Sequence, residues 1–191
     1  LEAEARSDDE GAEAALAQAR EVAPSAARPW VQAGQRHARA SRHPQALEAW
    51  NQLRLRHPAV FPLVAADYAA SSKAVAQSGE ALAALQALHT QHPASDPMAA
   101  IVALEGDAAQ ARSRHAEQLA RQPSLAAAAA VLRDRAEDDT GRALASVVER
   151  AAAPLARFRC AACGFEAQRY FWQCPGCMSW DSFPPQRLED L

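Results

Sequence analysis

The chain has 191 residues with a formal net charge of −3, and its 4 cysteines are a small complement for that length. A length of this order holds one large or two small domains. No stretch of about 18 apolar residues and no basic-then-apolar leader pattern occurs, which leaves the sequence without a membrane span or signal peptide of its own.

Charge is unevenly spread. Residues 1–27 carry Glu2, Glu4, Asp8, Asp9, Glu10, Glu13 and Glu21 against Arg6 and Arg20, whereas residues 28–57 carry six arginines against Glu48 alone. A basic stripe of this kind attracts acidic protein surfaces, phosphate-bearing headgroups or nucleic acid, but its commonest role is a solvated helix face. Lysine occurs once, at Lys73, and arginine everywhere else, a bias that reads as genomic base composition.

Taken in chain order, the first strong signal is a repeat. Prolines close helix-like segments at Pro24, Pro58, Pro93 and Pro123. Ala12, Leu16, Ala19 and Pro24 align with Ala46, Trp50, Leu53 and Pro58, and then with Ala81, Leu85, Leu88 and Pro93. A period of about 34 residues with small residues at fixed places is that of tetratricopeptide (TPR) helix pairs. Residues 1–24 supply only the second helix of such a pair. The chain also opens on Leu1, so we expect a fragment whose first repeat is truncated.

The clearest unit runs from Ala27 to about Val60. Gly34 and Ala46 are small enough to let its two helices approach, Trp30 and Trp50 fill the space between repeats, and Pro58 ends the second helix. Residues 61–93 give another pair, with Pro62 near its start and a turn expected at Ser78-Gly79. Asp96-Pro97 is expected to cap and open the next helix, and Gly106-Asp107 divides that pair. From 124 to 153 the helical pattern continues without the repeat consensus. Ser124 is a cap, Gly141 is expected to break the helix, and Leu144, Val147, Val148 and Ala151 form the expected apolar face.

The tail is different in kind. All four cysteines lie in Cys160-x2-Cys163-Gly164 and Cys174-Pro175-x-Cys177, and seven of the eleven aromatic residues (Phe158, Phe165, Tyr170, Phe171, Trp172, Trp180 and Phe183) surround them. Two Cys-x2-Cys pairs can wrap the two sides of one ion, and four thiolates select zinc or iron. Disulfides would also use four cysteines, but Cys-x2-Cys is a poor staple. A segment this short cannot bury a self-sufficient core, so the metal is expected to fold it, with the aromatic residues packed over the sulfurs. Gly164 follows Cys163 where a knuckle needs φ > 0. Met178 occupies the matching place in the second pair, so the two knuckles are expected to differ.

Other candidate sites are weak. His89-x2-His92 could bind a metal, with His43, His57 and His115 adding imidazoles, but four of these five lie near helix ends or beside prolines and read as solvent-exposed caps. No phosphate loop, nucleophile motif or paired carboxylate stands out, and the protein is not expected to be an enzyme.

The tail Phe158-Arg-Cys-Ala-Ala-Cys-Gly-Phe165 with Tyr170-Phe-Trp-Gln-Cys-Pro-Gly-Cys-Met-Ser-Trp180, together with Arg121-Gln-Pro-Ser124 and Asp139-Thr-Gly-Arg-Ala143, resembles the C-terminal half of the lipopolysaccharide assembly protein B (LapB, or YciM) family. The resemblance implies a mainly α protein, a TPR solenoid followed by a small rubredoxin-type metal knuckle. The expected domains are repeats over 1–123, a helical hairpin or linker over 124–157 and the metal domain over 158–191. It also implies Cys160, Cys163, Cys174 and Cys177 as ligands of one iron ion, in a four-cysteine site whose chemistry equally admits zinc. Family members are non-enzymatic adaptors that promote degradation of the lipid A deacetylase LpxC by the FtsH protease and coordinate lipopolysaccharide assembly proteins. They are held at the cytoplasmic side of the inner membrane by an N-terminal helix outside this sequence. Rubredoxin-like electron transfer and a nucleic-acid-binding zinc ribbon are the competing readings. Nucleic acid is not an expected partner, because the tail sets only Arg159, Arg169 and Arg187 against Glu166, Asp181, Glu189 and Asp190.

Overall fold

A computed structural model of the chain describes residues 9–191. Among the described residues it is mainly helical, with nine α-helices and one two-stranded sheet. The chain divides into two compact units, Leu1–His92 and Pro93–Leu191.

The first unit contains α1 (Asp9–Val22), α2 (Arg28–Arg39), α3 (His43–Arg56), a 3-10 turn over Phe61–Val64, α4 (Ala65–Ala74) and α5 (Ser78–Gln91). Pro29 and Pro44 sit in the first turns of α2 and α3, where a missing N–H costs nothing. The helices ending at Val22, Arg56 and Gln91 each stop two residues before a repeat proline, because the residue preceding a proline is pushed out of the helical region. Successive helices pack on one another and α2 also meets α4, the corresponding helix of the next pair. That is the neighbour-on-neighbour stacking of a TPR-like solenoid.

The α2–α3 pair is built around one contact. Trp50 is wholly buried, and its indole lies where a β-carbon on Gly34 would have to be. Glycine on α2 is therefore the complement of tryptophan on α3. Trp30 is only half-buried, with the guanidinium groups of Arg20 and Arg56 5.1 and 5.5 Å from its ring centre. Part of the basic stripe is thus spent on cation–π contacts. The core continues through Leu53, Phe61, Val64, Tyr68, Leu85 and Leu88. Phe61 and Tyr68 meet edge to face at 5.1 Å, and the Tyr68 hydroxyl donates to Asn51 at 2.9 Å.

The turn between α4 and α5 does not fall at Ser78-Gly79. Ser78 is the first residue of α5, and the chain reverses at Val75–Ala76, where Ala76 adopts φ +59°. Gly79 has open space where a side chain would be, so nothing requires glycine there.

The second unit contains α6 (Ser95–Glu105), α7 (Ala108–Arg121), α8 (Leu125–Asp134), α9 (Asp139–Ala152), a 3-10 turn over Ala153–Ala156, strands β1 (Phe158–Arg159) and β2 (Glu166–Ala167), and a closing 3-10 turn over Leu188–Asp190. Gly106 takes φ +68° to end α6, and Asp107 then caps α7 by accepting from the Ala109 amide at 2.7 Å. Ser124 caps α8 through the Ala127 amide at 3.1 Å, as expected. Gly141 does not break a helix. It lies in the first turn of α9, its N–H donates to Asp138 at 2.7 Å, and the interruption falls at 135–138.

The buried face of α9 also differs from the apolar pattern. Ala145 and Ala152 are buried against α8, which buries Ala127 and Ala129, while Leu144 and Val147 remain 52% and 53% exposed. Alanine on both helices permits close approach, and the larger side chains are left on the outer face. The cross-links of this unit are polar: Arg114 to Glu105 at 2.8 Å and His115 to Asp134 at 2.5 Å. Among the described residues, no helix is long and apolar enough to cross a membrane.

Candidate metal centre

The four cysteines converge. Sγ of Cys160 lies 3.9 Å from that of Cys177, Sγ of Cys163 lies 3.6 Å from that of Cys174, and all four sulfurs fall within 4.8 Å of one another. A tetrahedral ion with bonds of about 2.3 Å to sulfur requires sulfur–sulfur edges of about 3.8 Å. The separations of 3.9 and 3.6 Å bracket that edge, and all four cysteines are free thiols. Among the described residues they form the one cluster of metal-ligating groups. His89 and His92 are not part of one, His43 faces Ser71 at 3.2 Å, and His115 pairs with Asp134.

Two matching loops hold the sulfurs. In the first, the Cys160 amide donates to the Phe165 carbonyl and the Gly164 amide to the Cys160 carbonyl, both at 2.9 Å. In the second, the Cys174 amide donates to the Ser179 carbonyl at 2.9 Å and the Met178 amide to the Cys174 carbonyl at 2.8 Å. Gly164 has φ +79° and Met178 φ +61°. The knuckles are therefore equivalent in backbone although they differ in sequence, which corrects the expectation drawn from Met178. The first stands on the β1–β2 pair, in which Phe158 faces Ala167, and the second on the bridge between Gln173 and Trp180.

Cys160 and Cys174 are buried, while Cys163 and Cys177 lie at the surface. Ser182 Oγ is 3.2 Å from Cys160 Sγ, Ser179 Oγ is 3.4 Å from Cys177 Sγ, and the Gly176 amide donates to Cys174 Sγ at 3.4 Å. The Ser182 contact, aided by nearby backbone amides, brings the Cys160 thiol down to about 6, and Ser179 lowers Cys177 likewise. The Phe165 amide favours the Cys163 thiolate, yet the neighbouring thiols and burial together push that group up to about 12. Four thiolates this close together repel one another, and a bound cation would relieve that repulsion.

The aromatic shell is smaller than the sequence implies. Phe158 and Phe183 are buried, and Tyr170 meets them edge to face at 5.7 and 6.2 Å, and Trp172 likewise at 4.9 Å. Phe165 and Trp180 are 41% and 51% exposed, so they sit at the rim instead of in the shell.

Sequence reasoning missed the tail that ties this module down. Arg187 stacks on Phe158 at 4.9 Å, pairs with Asp96 at 2.8 Å and donates to the Ala156 carbonyl, while the Leu188 amide donates to the Arg157 carbonyl at 2.9 Å. Asp190 accepts from the Ser95 amide at 3.1 Å and from the Ser95 hydroxyl at 2.7 Å. Asp96 therefore does not cap its own helix. Asp190, from the far end of the unit, caps α6 instead, and Glu189 accepts from the Ala126 amide at the start of α8. One 3-10 turn thus supplies acceptors to two helix N-termini. Only Ser179 and Ser182, polar residues just after Cys177, carried any signal in the sequence.

Residues 158–185 match the LapB zinc-ribbon family model, described as a rubredoxin metal binding domain. No match to the chain was found among curated proteins. The tail is thus similar to the metal-binding module of LapB-type proteins, and the cysteine geometry fits one metal ion with either zinc or iron chemistry.

Proposed function

We propose that the protein is the repeat and metal-knuckle part of a LapB-type adaptor. It is non-enzymatic and acts at the cytoplasmic face of the inner membrane, with attachment through a helix outside this sequence. It presents LpxC to the FtsH protease and brings lipopolysaccharide assembly proteins together. The observation that carries this reading is a LapB-type metal module at the end of a TPR-like helical array. Each helix pair buries its apolar face only against a neighbour, leaving an extended face for polypeptide partners. The knuckle, roped to α6 and α8 by residues 187–190, holds the second unit in one arrangement. In this reading Cys160, Cys163, Cys174 and Cys177 hold a structural ion, and a four-thiolate site needs no open coordination position for that task.

The test is the lifetime of LpxC after synthesis is stopped in cells depleted of their own adaptor. The full-length wild type should shorten it, and the Cys160→Ser, Cys174→Ser double variant should not. Equal lifetimes with wild type, variant and empty vector would overturn the adaptor reading. The description of the module as rubredoxin-like also favours an electron-transfer reading, for which the ion must be iron and reversibly reducible. A zinc-loaded protein that still shortens the lifetime eliminates it.

A further inference from the structure

The hydrogen bonds around the four sulfurs are of two kinds. Backbone amides approach all of them: those of Ala162 and Cys163 at Cys160, Phe165 at Cys163, Gly176 at Cys174 and Ser179 at Cys177. These come with the turns, and any sequence that makes the two knuckles supplies them. Side-chain hydroxyls are a choice of this sequence. They meet one sulfur from each knuckle, Ser182 at Cys160 and Ser179 at Cys177, 3.2 and 3.4 Å away. Those two sulfurs lie 3.9 Å apart, so both hydroxyls act on one edge of the cluster.

Ser182 is held from both loops. Its carbonyl accepts from the Ala161 amide of the first loop at 2.7 Å, and its Oγ lies 3.3 Å from the Ser179 carbonyl, which closes the second. A hydroxyl has one proton to give and rotates to suit its partners. While Cys160 carries its proton, the S–H can donate to Ser182 Oγ and the Ser182 O–H to the Ser179 carbonyl. A thiolate that binds an ion has no proton to donate, so the contact is then bonding only with the Ser182 O–H turned to the sulfur. That turn leaves nothing unsatisfied, because the Ser179 carbonyl still accepts from the Cys174 amide at 2.9 Å. The same accounting directs the Ser179 O–H to Cys177. Hydrogen bonds to an ionised acceptor are stronger than those between neutral groups.

We infer that Ser182 and Ser179 are positioning residues for the ion: their hydroxyls donate to the Cys160 and Cys177 thiolates, tighten the hold on a divalent metal and draw charge off those two sulfurs. Sulfurs that give less charge to the ion favour the lower oxidation state of a redox metal, so in an iron-loaded protein the two serines raise the potential. This rests on the reading of the four cysteines as ligands of one ion and does not depend on the partner.

The experiment loads the full chain with cobalt(II), and separately with iron, as wild type, Ser182→Ala, Ser179→Ala and Ser182→Thr. Cobalt affinity is read by competition with a chelator, the sulfur-to-cobalt charge-transfer band by absorption, and the iron potential by redox titration. Ser182→Ala should bind cobalt(II) at least about tenfold more weakly, move the band to longer wavelength and lower the iron potential. Ser179→Ala should shift all three in the same direction by less, because its hydroxyl is the more distant. Ser182→Thr keeps the hydroxyl and should stay close to wild type. Ser179→Ala removes none of the backbone bonds of its loop, so it keeps the test valid should Ser182→Ala fold poorly. Unchanged affinity in both alanine variants overturns the inference. Weaker binding with the band and the potential unmoved also overturns it, because packing alone would then explain the serines. A wild type that binds no cobalt(II) overturns the reading of the four cysteines as ligands as well.

Discussion

At the residue scale the metal knuckle depends on four sulfurs and two turns. Replacing Cys160 or Cys174, the two buried cysteines of the cluster, with serine removes a thiolate from a site with no substitute ligand. Metal content should fall from one ion per chain to none, and the near-ultraviolet circular dichroism of the tail aromatics should collapse. A variant that keeps a full equivalent of metal and the wild-type spectrum would show that the cysteines are not the ligands. Met178 is a second diagnostic. It holds φ +61°, a conformation that costs a residue with a β-carbon about 1 kcal/mol. Met178→Gly should therefore raise the stability of the metal-loaded protein by up to about 1 kcal/mol, read as a higher denaturant midpoint. A lower midpoint would mean that the methionine side chain contributes packing its 61% exposure does not reveal.

At the element scale the consequential feature is the closing turn, Leu188–Asp190. Asp190→Ala deletes the cap of α6 and should cost about 1–2 kcal/mol in the second unit, visible as faster amide exchange at the start of α6. Exchange that stays unchanged there would show that the Ser95 contact contributes nothing. Glu189 behaves in the opposite sense. Burial, with the Asp190 charge beside it, raises its pKa above the ordinary carboxylate value despite the Ala126 amide, and Oε2 is buried without a partner. A carboxylate with a raised folded-state pKa is a penalty that is fully present above that pKa and fades as pH falls through it. Glu189→Gln should accordingly stabilise the protein at about pH 7, with a smaller gain at about pH 5. A gain that grows on acidification would contradict the assignment.

The same elements show what was legible in the sequence. The repeat prolines marked the helix ends, because the effect of proline on its predecessor is local. Ser124 and Asp107 work as caps for the same reason. The turn at Val75–Ala76 was invisible because its left-handed residue is an alanine, not the nearby glycine. The buried face of α9 was misjudged because side-chain size decided the packing, with alanine meeting alanine while Leu144 and Val147 stayed outside. The cap on Ser95 comes from 95 residues away, a separation at which no sequence pattern operates.

At the scale of the whole molecule, two kinds of stabilisation divide the labour. The first unit is held by large apolar contacts, with Trp50 against Gly34 and the Phe61–Tyr68 pair at its centre. The second has an alanine-rich core and depends on ion pairs, helix caps and the metal knuckle. Chelation should therefore act selectively. Removing the ion frees Phe158, on which Arg187 stacks, and should lower protection from exchange in α6–α9 while leaving α2–α5 near their original values. Uniform loss along the chain would show that stability is not divided in this way.

The central claim, that a metal-clamped helical array serves as an adaptor in lipopolysaccharide control, is tested most directly by affinity capture of the full-length protein from the membrane fraction and the soluble fraction of its own cells, with bound proteins identified by mass spectrometry. The account predicts recovery of the FtsH protease and the LpxC deacetylase with the wild type, and their loss with the Cys160→Ser, Cys174→Ser variant. Recovery of redox enzymes or nucleic acid in their place would contradict it.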